Sequence, residues 1–291
     1  MTIWNLGSIN ADHVYRVPHL PQAGETLAAT ELSRFLGGKG ANMSVAAARA
    51  AAHVCHIGAV GRDGRGAVER LLEYGVDTRH ISENDAATGH AIIAVDPSGE
   101  NQIILYPGAN RAIPEDMIGL ALTQAQSGDV LLIQNETNAQ LHAATLGSEL
   151  GLMVCYAAAP FDTQAVTNVL PFLDFLILNE VEARQLQTEA GLDAEDLPVR
   201  DVIITLGARG SRWIDTKSSR IRDFPAIPVD VVDTTGAGDT FTGYVLAGLD
   251  RGMPMEQSIQ LATRAAALMV MRSGTADVIP DLKDLEDARF G

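Results

Sequence analysis

The second half of the chain contains four short, almost continuous runs of apolar residues, separated by segments with helical character. Runs of this length are typical of strands that are buried on both faces of a parallel sheet. They are DVLLIQ (129–134), GLMVCYA (151–157), DFLILN (174–179) and DVIITLG (201–207). Because helical segments lie between them, the pattern predicts repeated strand–helix–strand units.

The first half of the chain continues this alternation. Residues 2–7 and 53–61 have the pattern of strands, and residues 41–50 and 64–75 that of helices, the second of which a glycine closes. Residues 256–272 form a long amphipathic segment whose apolar stripe is expected to pack in the core. Together these elements predict an α/β fold, with a doubly wound, mostly parallel sheet flanked by helices.

Two regions interrupt the alternation. Residues 12–36 contain the alternating pieces DHVYRV and ELSRFL around a segment rich in proline and glycine, and residues 90–106 form two alternating strands around a DPSGEN turn. Two separate insertions need a shared partner to be stable. We therefore expect them to join into a small extra sheet, called the lid below, that covers an active site or forms a dimer contact. The alternative is an edge hairpin on the main sheet.

Composition limits the classes of function. The chain has 291 residues, of which 46% are hydrophobic, so residues 1–291 can form one large domain or one domain with an appendage. We find no apolar run long enough for a membrane span and no signal peptide at the N-terminus. The net charge of −16 argues against nucleic acid and anionic membranes as partners. The two cysteines, Cys55 and Cys155, lie far apart and are expected to be buried thiols in a cytoplasmic protein.

The segment DTTGAGDTFTGY (233–244) places three small residues before an aspartate, at the start of a predicted helix. Small residues leave backbone N–H groups accessible, and a helix start adds unpaired N–H groups and the positive end of the dipole, which attract anions. Asp239 therefore either caps the helix or takes part in proton chemistry beside a bound phosphate. If it only caps, Asp239→Asn should cost little.

The segment FLGGKGAN (35–42) is a second candidate ligand site. Its glycines let a backbone approach a small polar molecule, Lys39 supplies a cation, and Asn42 supplies donors and an acceptor at a helix start. It lacks the first glycine and the hydroxyl residue of a P-loop. The alternative is a flexible glycine loop with a solvated lysine.

The segment GSINADH (7–13) follows the first predicted strand and places Asn10 and Asp12 at the carboxyl end of that strand, where α/β sheets bind ligands. An asparagine and an aspartate together suit a polyhydroxylated ligand. Both residues are also common in turns.

GSINADH, GGKGAN and DTTGAGDTFTG together resemble the PfkB carbohydrate kinase family, in the same order and over nearly the whole chain. LNEVEA (178–183) is similar to the NxxE motif of the family, and TLGARG (205–210) to its nucleotide loop. The resemblance implies a single ribokinase-like α/β domain over residues 1–291, with a β-sheet lid formed by residues 12–36 and 90–106 that also serves as a homodimer contact.

The resemblance also implies roles for residues on the sugar side. Asp239 would be the general base, and the backbone of Gly236, Ala237 and Gly238 would form an anion hole for the transferring phosphoryl group. The sugar ligands would be Asn10, Asp12, Gly38, Lys39, Asn42 and Glu136, together with Asp239 itself.

On the nucleotide side, the resemblance implies that Asn179 and Glu182 order Mg²⁺ and its waters near the phosphates of ATP. Thr205, Gly207 and Gly210 would line the nucleotide pocket. An activating K⁺ site would be formed by Asp233 and Thr235 with the backbone of Met269, Arg272 and Gly274.

Four positions depart from the family pattern. Ala157 and Ala158 stand where an Asn-Pro pair is frequent, Tyr244 follows Gly243 where a small residue is usual, and Val278 stands where some relatives offer another cation ligand. The last departure weakens the K⁺ assignment more than the assignment of the base.

The residues and the resemblance together predict an ATP-dependent kinase that phosphorylates the primary hydroxyl of a pentose, converting D-ribose to D-ribose 5-phosphate. Glu136, Asn10 and Asp12 favour ribose over phosphorylated hexoses, which would need a basic cluster. The nearest alternative is another kinase of the same family that acts on a nucleoside or a different sugar. A nucleoside kinase would need an apolar or aromatic slot for the base, for which Tyr15 and Tyr106 are the candidates.

The alternatives from other classes are a non-catalytic sugar-binding regulator and an NAD-dependent dehydrogenase, whose GxGxxG fingerprint is missing. A metal shared by His53 and His56 is disfavoured, because on a strand these side chains point to opposite faces.

Overall fold

The computed structural model describes residues 1–290, so residue 291 of the expected domain lies outside it. The strands are β1 (Ile3–Leu6), β2 (Asn10–Arg16), β3 (Glu31–Gly37), β4 (Val54–Gly61), β5 (Asp77–Asn84), β6 (Gly89–Val95), β7 (Asn101–Tyr106), β8 (Val130–Gln134), β9 (Met153–Ala157), β10 (Phe175–Asn179), β11 (Asp201–Thr205), β12 (Ser211–Asp215) and β13 (Arg220–Phe224). The α-helices are α1 (Lys39–Arg49), α2 (Arg65–Glu73), α3 (Glu115–Leu122), α4 (Gln140–Glu149), α5 (Thr163–Val169), α6 (Glu180–Ala190), α7 (Ala237–Asp250), α8 (Met255–Met269) and α9 (Leu282–Asp287).

A nine-stranded sheet forms the centre of the molecule, in the order β13-β12-β11-β10-β9-β8-β1-β4-β5. The strands from β11 to β5 in this order are parallel, and β12 and β13 add an antiparallel edge. The four apolar runs of the second half are the neighbouring strands β8 to β11, as predicted. They are apolar because helices cover both of their faces.

The two faces of this sheet carry two separate clusters of buried side chains. One cluster packs α1, α7 and α8 against the sheet, and the other packs α3, α4, α5 and α6. The molecule therefore has three layers, helix on sheet on helix. The predicted helix at residues 256–272 is α8, and its apolar stripe lies in the first cluster.

The two insertions form a separate four-stranded sheet, the lid, in the order β3-β2-β6-β7. The hairpin β6–β7 belongs to the lid and not to the edge of the main sheet. The central pair β2–β6 is parallel, and the two outer pairs are antiparallel. Only three residues, 7 to 9, separate β1 of the main sheet from β2 of the lid.

The four-stranded lid exposes several large apolar side chains. Those that are exposed are Leu32, Ile92, Ile103, Ile104, Leu105 and Tyr106. Because consecutive residues of a strand alternate in direction, these side chains lie on both faces of the lid. Exposed apolar surface of this kind is a candidate interaction site.

Three further expectations can be compared with the structure. Cys55 and Cys155 are free and buried. Tyr244 is fully buried, and its hydroxyl donates to Pro280 O at 2.6 Å, so the unusual large residue is accommodated inside the core. Among residues 1–290, no helix combines the length and apolar character that a membrane crossing requires.

Candidate active site

The first turn of α1 crosses the segment that joins β1 to the lid, and this crossing forms the floor of the candidate sugar site. A Cβ atom on Gly40 would lie 2.4 Å from Gly7 Cα and 2.3 Å from Ser8 N, so only glycine fits there. Gly40 N donates to Ser8 Oγ at 3.1 Å. The close approach places the predicted GGKGAN and GSINADH segments side by side.

Glu136, at the end of β8, joins this crossing. Its Oε2 accepts hydrogen bonds from Ser8 Oγ at 2.5 Å and from the backbone N–H of Lys39 at 3.0 Å. The sequence predicted Lys39 and Glu136 as sugar ligands but missed Ser8. Its presence in the GSINADH segment was the signal, although a serine in a turn has ordinary structural uses.

Asn10 and Asp12 stand on the lid strand β2. Asn10 Oδ1 accepts from Asn110 Nδ2 at 2.8 Å, and Asn110 Oδ1 accepts from Ile9 N at 2.8 Å. The sequence missed Asn110, which is buried and lies in the turn that follows β7. Its amide therefore fixes the start of the lid strand.

The carboxylate of Asp12 lies over Gly37, where a Cβ atom would come within 2.0 Å of Oδ2. Burial, and secondly the charge of Glu136, raise the pKa of Asp12 from 3.8 to about 6. Burial removes hydrogen bonds that water would donate to the carboxylate. Hydroxyl groups of a ligand could replace them.

Asp239 stands in the first turn of α7 and is buried. Its Oδ2 accepts from Asn42 Nδ2 at 2.9 Å, across the gap between α7 and α1. The residue at the N-cap is Gly236, in the left-handed conformation with φ of +75°, and no side chain caps this helix. Asp239 therefore does not cap α7, and the structural alternative considered from the sequence is wrong.

The positively charged side chain of Lys39 lies close to several carboxylates of the candidate site. The charge of Asp239, and after it those of Glu136 and Glu182, raise the pKa of Lys39 against the effect of burial. The ammonium group consequently stays protonated at neutral pH. The predicted sugar ligands and the predicted base thus share one electrostatic environment.

The start of α7 opens into a cleft of about 530 Å³. Ala237 and Gly238 lie at this end of the cleft, and the predicted nucleotide residues Thr205, Gly207 and Gly210 also line it. Backbone N–H groups in the first turn of a helix have no partner within the helix, although here Ala237 N contacts Thr234 O at 3.3 Å. The cleft therefore joins the candidate anion hole to the candidate nucleotide pocket.

Most of the remaining cleft surface is apolar. It comes from the segment after β13, including Ile227, Val229 and Val231, and from Ala266 and Val270 at the end of α8. These residues could not be predicted from the sequence, because apolar side chains carry no chemical signal that separates a ligand pocket from the core.

Asn179 and Glu182 form a capping box at the start of α6. Asn179 Oδ1 accepts from Glu182 N at 2.9 Å, and Glu182 Oε2 accepts from Asn179 N at 2.7 Å. Burial raises the pKa of Glu182. Its other oxygen, Oε1, accepts no hydrogen bond from residues 1–290 and stays available to a hydrated cation.

Asp233 lies beside the loop that follows α8. Its carboxylate accepts from Thr235 N at 2.9 Å and from Gly274 N at 3.4 Å. In the described part of the chain, the carbonyl oxygens of Thr235, Arg272 and Gly274 accept no backbone hydrogen bond, whereas Met269 O accepts from Arg272 N. Hard oxygen atoms without protein donors fit a cation such as K⁺.

The two tyrosines considered for a nucleoside slot lie on the wrong face of the lid. Tyr15 is three residues from Asp12 on the same strand, so its side chain points to the opposite face. Tyr106 pairs with His90, and the rings of these two residues are 5.1 Å apart on that opposite face. Neither tyrosine borders the sugar site.

His53 and His56 also lie apart. His56 is fully buried, whereas His53 is exposed and groups with Cys55 and Asp77, whose ligand atoms lie within 4.8 Å of its own. In this group Arg79 Nε contacts both oxygens of Asp77, at 3.0 and 2.9 Å, and burial raises the pKa of Cys55 to about 12. Both features oppose binding of a cation.

The comparison with protein families agrees with this geometry. The model of the pfkB family of carbohydrate kinases matches residues 3–282. The chain belongs to this family. The predicted family and α/β fold are confirmed, and so is the enzyme class, an ATP-dependent carbohydrate kinase.

Several curated relatives of this kinase are ribokinases. The Haemophilus influenzae ribokinase is 35% identical, over 96% of this chain and 95% of its own length. The Lactococcus lactis ribokinase is 32% identical, over 97% of this chain and 94% of its own.

Solved structures give the same result for the kinase. The structure of Arabidopsis thaliana ribokinase complexed with ribose and ATP has a TM-score of 0.86 and 28% identity, and the match covers 98% of this chain and 97% of that one. The Thermotoga maritima ribokinase has a TM-score of 0.88 and 30% identity, over 98% of both chains. A Burkholderia thailandensis nucleoside kinase, with a TM-score of 0.85, is only 20% identical and shows the fold alone.

Proposed function

We propose that this kinase transfers the γ-phosphoryl group of ATP to the primary hydroxyl of D-ribose and forms D-ribose 5-phosphate. The observation that carries the proposal is the position of Asp239. Its buried carboxylate lies in the first turn of α7, which opens into the cleft. It accepts from Asn42, and its charge acts on Lys39 of the polar crossing. The ribokinase relatives described above support the choice of ribose.

At the sugar end, the proposed ligands are side chains that the protein already holds in place. Asp12 and Glu136 accept hydrogen bonds from ribose hydroxyls, and Asn10 and Asn42 donate to them, with Lys39 and the backbone of Gly38 completing the set. Since these groups are fixed before the sugar arrives, little conformational freedom is lost on binding.

The proposed base is Asp239. The oxygen of the primary hydroxyl forms a bond to the γ-phosphorus, the bond from that phosphorus to the β,γ-bridging oxygen breaks, and the hydroxyl proton passes to the Asp239 carboxylate. Asn42 donates to Oδ2 of this carboxylate, so it fixes the orientation of the group. ADP leaves with the electron pair of the broken bond.

Charge on the phosphoryl oxygens is met by backbone N–H groups at Gly236, Ala237 and Gly238, in the first turn of α7. Lys39, whose protonated form is stabilised by its acidic neighbours, adds a positive charge close to the transfer. Preorganised donors of this kind stabilise charge that develops in the transition state.

On the nucleotide side, Thr205, Gly207 and Gly210 would line the ATP site. Glu182 and Asn179 would hold hydrated Mg²⁺ through the free oxygen of Glu182. The loop of Asp233, Thr235, Met269, Arg272 and Gly274 would hold K⁺. Bound Mg²⁺ neutralises phosphate charge, and K⁺ beside the start of α7 would stabilise the loop that forms the anion hole.

We also propose that the kinase acts as a single domain whose lid covers the sugar, and that two copies associate through their lids. The exposed apolar residues of the lid support this homodimer. The two free, separated cysteines support a reducing, cytoplasmic location. Sedimentation of the wild-type chain and of Ile104→Lys would test the dimer, since a charge on the exposed lid strand should yield monomers.

The experiment that tests the proposed function is a panel of pentoses, hexoses and nucleosides with ATP and Mg²⁺, with and without K⁺, scored by release of ADP. Ribose should give the highest kcat/KM. If a nucleoside is the better substrate, the choice of ribose is wrong while the kinase remains. If ribose binds but no ADP is released, the chain is a sugar-binding regulator.

A further inference from the structure

Four polar side chains form a continuous chain beneath the floor of the sugar site, and none of them belongs to the proposed catalytic or sugar-binding set. They are Gln134 on β8, Asn5 on β1, Ser44 on α1 and His56 on β4. Each is at most 1% exposed. Polar groups buried this deeply are costly unless they are paired, so their arrangement calls for a physical account.

The links are hydrogen bonds of ordinary length. Gln134 Nε2 donates to Asn5 Oδ1 at 2.7 Å, and Asn5 Nδ2 donates to Ser44 Oγ at 2.8 Å. Ser44 Oγ is 2.8 Å from His56 Nδ1, and His56 Nε2 is 3.0 Å from Gly7 O. The chain thus connects three neighbouring strands of the main sheet to α1 and ends on a backbone carbonyl.

A backbone carbonyl fixes the direction at the histidine end. Gly7 O can only accept, so His56 Nε2 carries the proton. Complete burial lowers the pKa of His56 to about 4, so the ring is neutral at pH 7 and its Nδ1 accepts. The hydroxyl of Ser44 is therefore the donor to His56.

A second backbone carbonyl fixes the direction at the amide end. Asn5 Nδ2 donates to Gly40 O at 2.8 Å as well as to Ser44, which uses both of its hydrogens. Asn5 Oδ1 then faces Gln134, whose Nε2 must donate. From Asn5 to Gly7 every donor has an acceptor, and the order cannot be reversed. At the amide end, Gln134 Oε1 is buried and has no hydrogen-bond partner among residues 1–290.

The two backbone carbonyls that accept from the chain belong to Gly7, at its histidine end, and to Gly40, which Asn5 contacts. These are the residues whose backbones approach closely at the crossing. Directly above this crossing, Ser8 and Lys39 bind the carboxylate of Glu136. We propose that the buried chain is a positioning element, which holds the crossing of Gly7 and Gly40 at the spacing that the sugar ligands need. This inference rests on the proposed function.

The first test is Ser44→Ala, which breaks the chain at its centre. The KM for ribose should rise about tenfold, because small displacements of binding groups are costly, while the KM for ATP stays unchanged. No member of the chain lines the nucleotide cleft. Ser258→Ala is the matched control, since Ser258 is also buried in a helix but donates only to Pro254 O of its own helix start.

The second test is His56→Phe, alone and combined with Ser44→Ala. If both residues act through one chain, the double variant should raise the KM for ribose about as much as either single variant. Independent local effects would instead multiply, and that result would overturn the proposal. The same comparison of single and double variants can be made with the dissociation constant for ribose, measured by calorimetry without turnover.

The outcomes separate the two proposals. In the first outcome, the wild-type protein phosphorylates ribose, and Ser44→Ala is less stable but has an unchanged KM for ribose. The buried polar chain then only stabilises the fold, and the inference is overturned while the proposed function stands. If the wild-type chain binds ribose but releases no ADP, the proposed function fails, and the affinities of the variants still decide the inference. If it binds no sugar, both fail.

Discussion

The proposed sugar site, called the sugar end below, and the nucleotide cleft, called the nucleotide end, are built differently. At the sugar end, buried side chains are held by other side chains, as Asn10 is by Asn110 and Asp239 by Asn42. At the nucleotide end, the surface consists of backbone turns and apolar residues such as Ile227 and Val270. In the proposed function, the sugar end therefore recognises its ligand by placed polar atoms, and the nucleotide end mainly by shape.

This difference has an energetic side. The buried polar groups of the sugar end lower the stability of the ligand-free protein, since burial raises the pKa of Asp12 and disfavours its charged form. The apolar end carries no comparable cost. Substitutions at the sugar end should consequently have large and specific effects, whereas those at the nucleotide end should have small ones.

The largest expected effect is that of Asp239→Asn. Loss of the base should lower kcat about a thousandfold, while the amide oxygen can still accept from Asn42 and the thermal midpoint should stay within about 2 °C. Steady-state ADP release and thermal unfolding measure the two quantities. Glu115→Gln, which removes an exposed carboxylate in the first turn of α3, is the matched control. A fall in kcat of less than tenfold would show that Asp239 is not the base.

Next in size is Asp12→Asn. Hydrogen bonds to a charged acceptor contribute about 2 to 3 kcal/mol, so the KM for ribose should rise about 30- to 100-fold with the KM for ATP unchanged. The comparison of the two ends breaks down if both KM values rise together.

The same variant should be more stable than the wild type at pH 7. The pKa of Asp12 is about 6 in the folded chain and 3.8 when unperturbed, so the folded state holds the proton more tightly and loses stability as pH rises from about 4 to 6. Asp12→Asn removes this loss, which is about 3 kcal/mol at most for such a shift. Chemical denaturation at pH 7 and at pH 4 would show whether the gain is confined to the higher pH.

A smaller effect is expected from pH alone. Below about pH 6 the carboxyl group of Asp12 becomes protonated, so the KM for ribose should rise by up to about tenfold for each unit of pH. The KM for ATP should not follow this curve. A profile of kcat/KM for ribose at saturating ATP measures the effect, and Asp12→Asn, which has no such group, should show no inflection near pH 6.

The smallest effect is expected from Ala266→Leu, which partly fills the nucleotide end. The KM for ATP should rise about three- to tenfold, since an apolar wall can shift to admit a larger side chain, and the KM for ribose should not change. Gln260→Leu, an exposed position on the same helix α8, serves as the control. A change in the KM for ribose would mean that the two ends are coupled.

The elements that could be predicted from the sequence are those whose hydrophobic pattern directly reflects which faces are buried. The runs that became β8 to β11 are apolar along their whole length because both faces are covered. The alternation in residues 12–36 and 90–106 likewise showed strands with two different faces. The parallel pairing of β2 with β6 was not visible, because it depends on contacts between residues about 80 positions apart.

The candidate site was predictable where residue types are unusual for their position. Lys39 among glycines and Asp239 after three small residues are of this kind. Asn110 was missed because an asparagine in a turn is ordinary, and only the folded chain shows that it is buried against Asn10. Asn179 and Glu182 show a further limit, since their spacing is that of a capping box, which the structure contains, and of a cation site at once.

The short link between β1 and β2 has a consequence for the catalytic cycle. With only residues 7 to 9 between the main sheet and the lid, Asn10 and Asp12 travel with the lid strand itself. In the proposed function, opening of the lid would therefore withdraw two of the proposed sugar ligands. Release of the phosphorylated product and opening of the lid would then be one event with one rate constant.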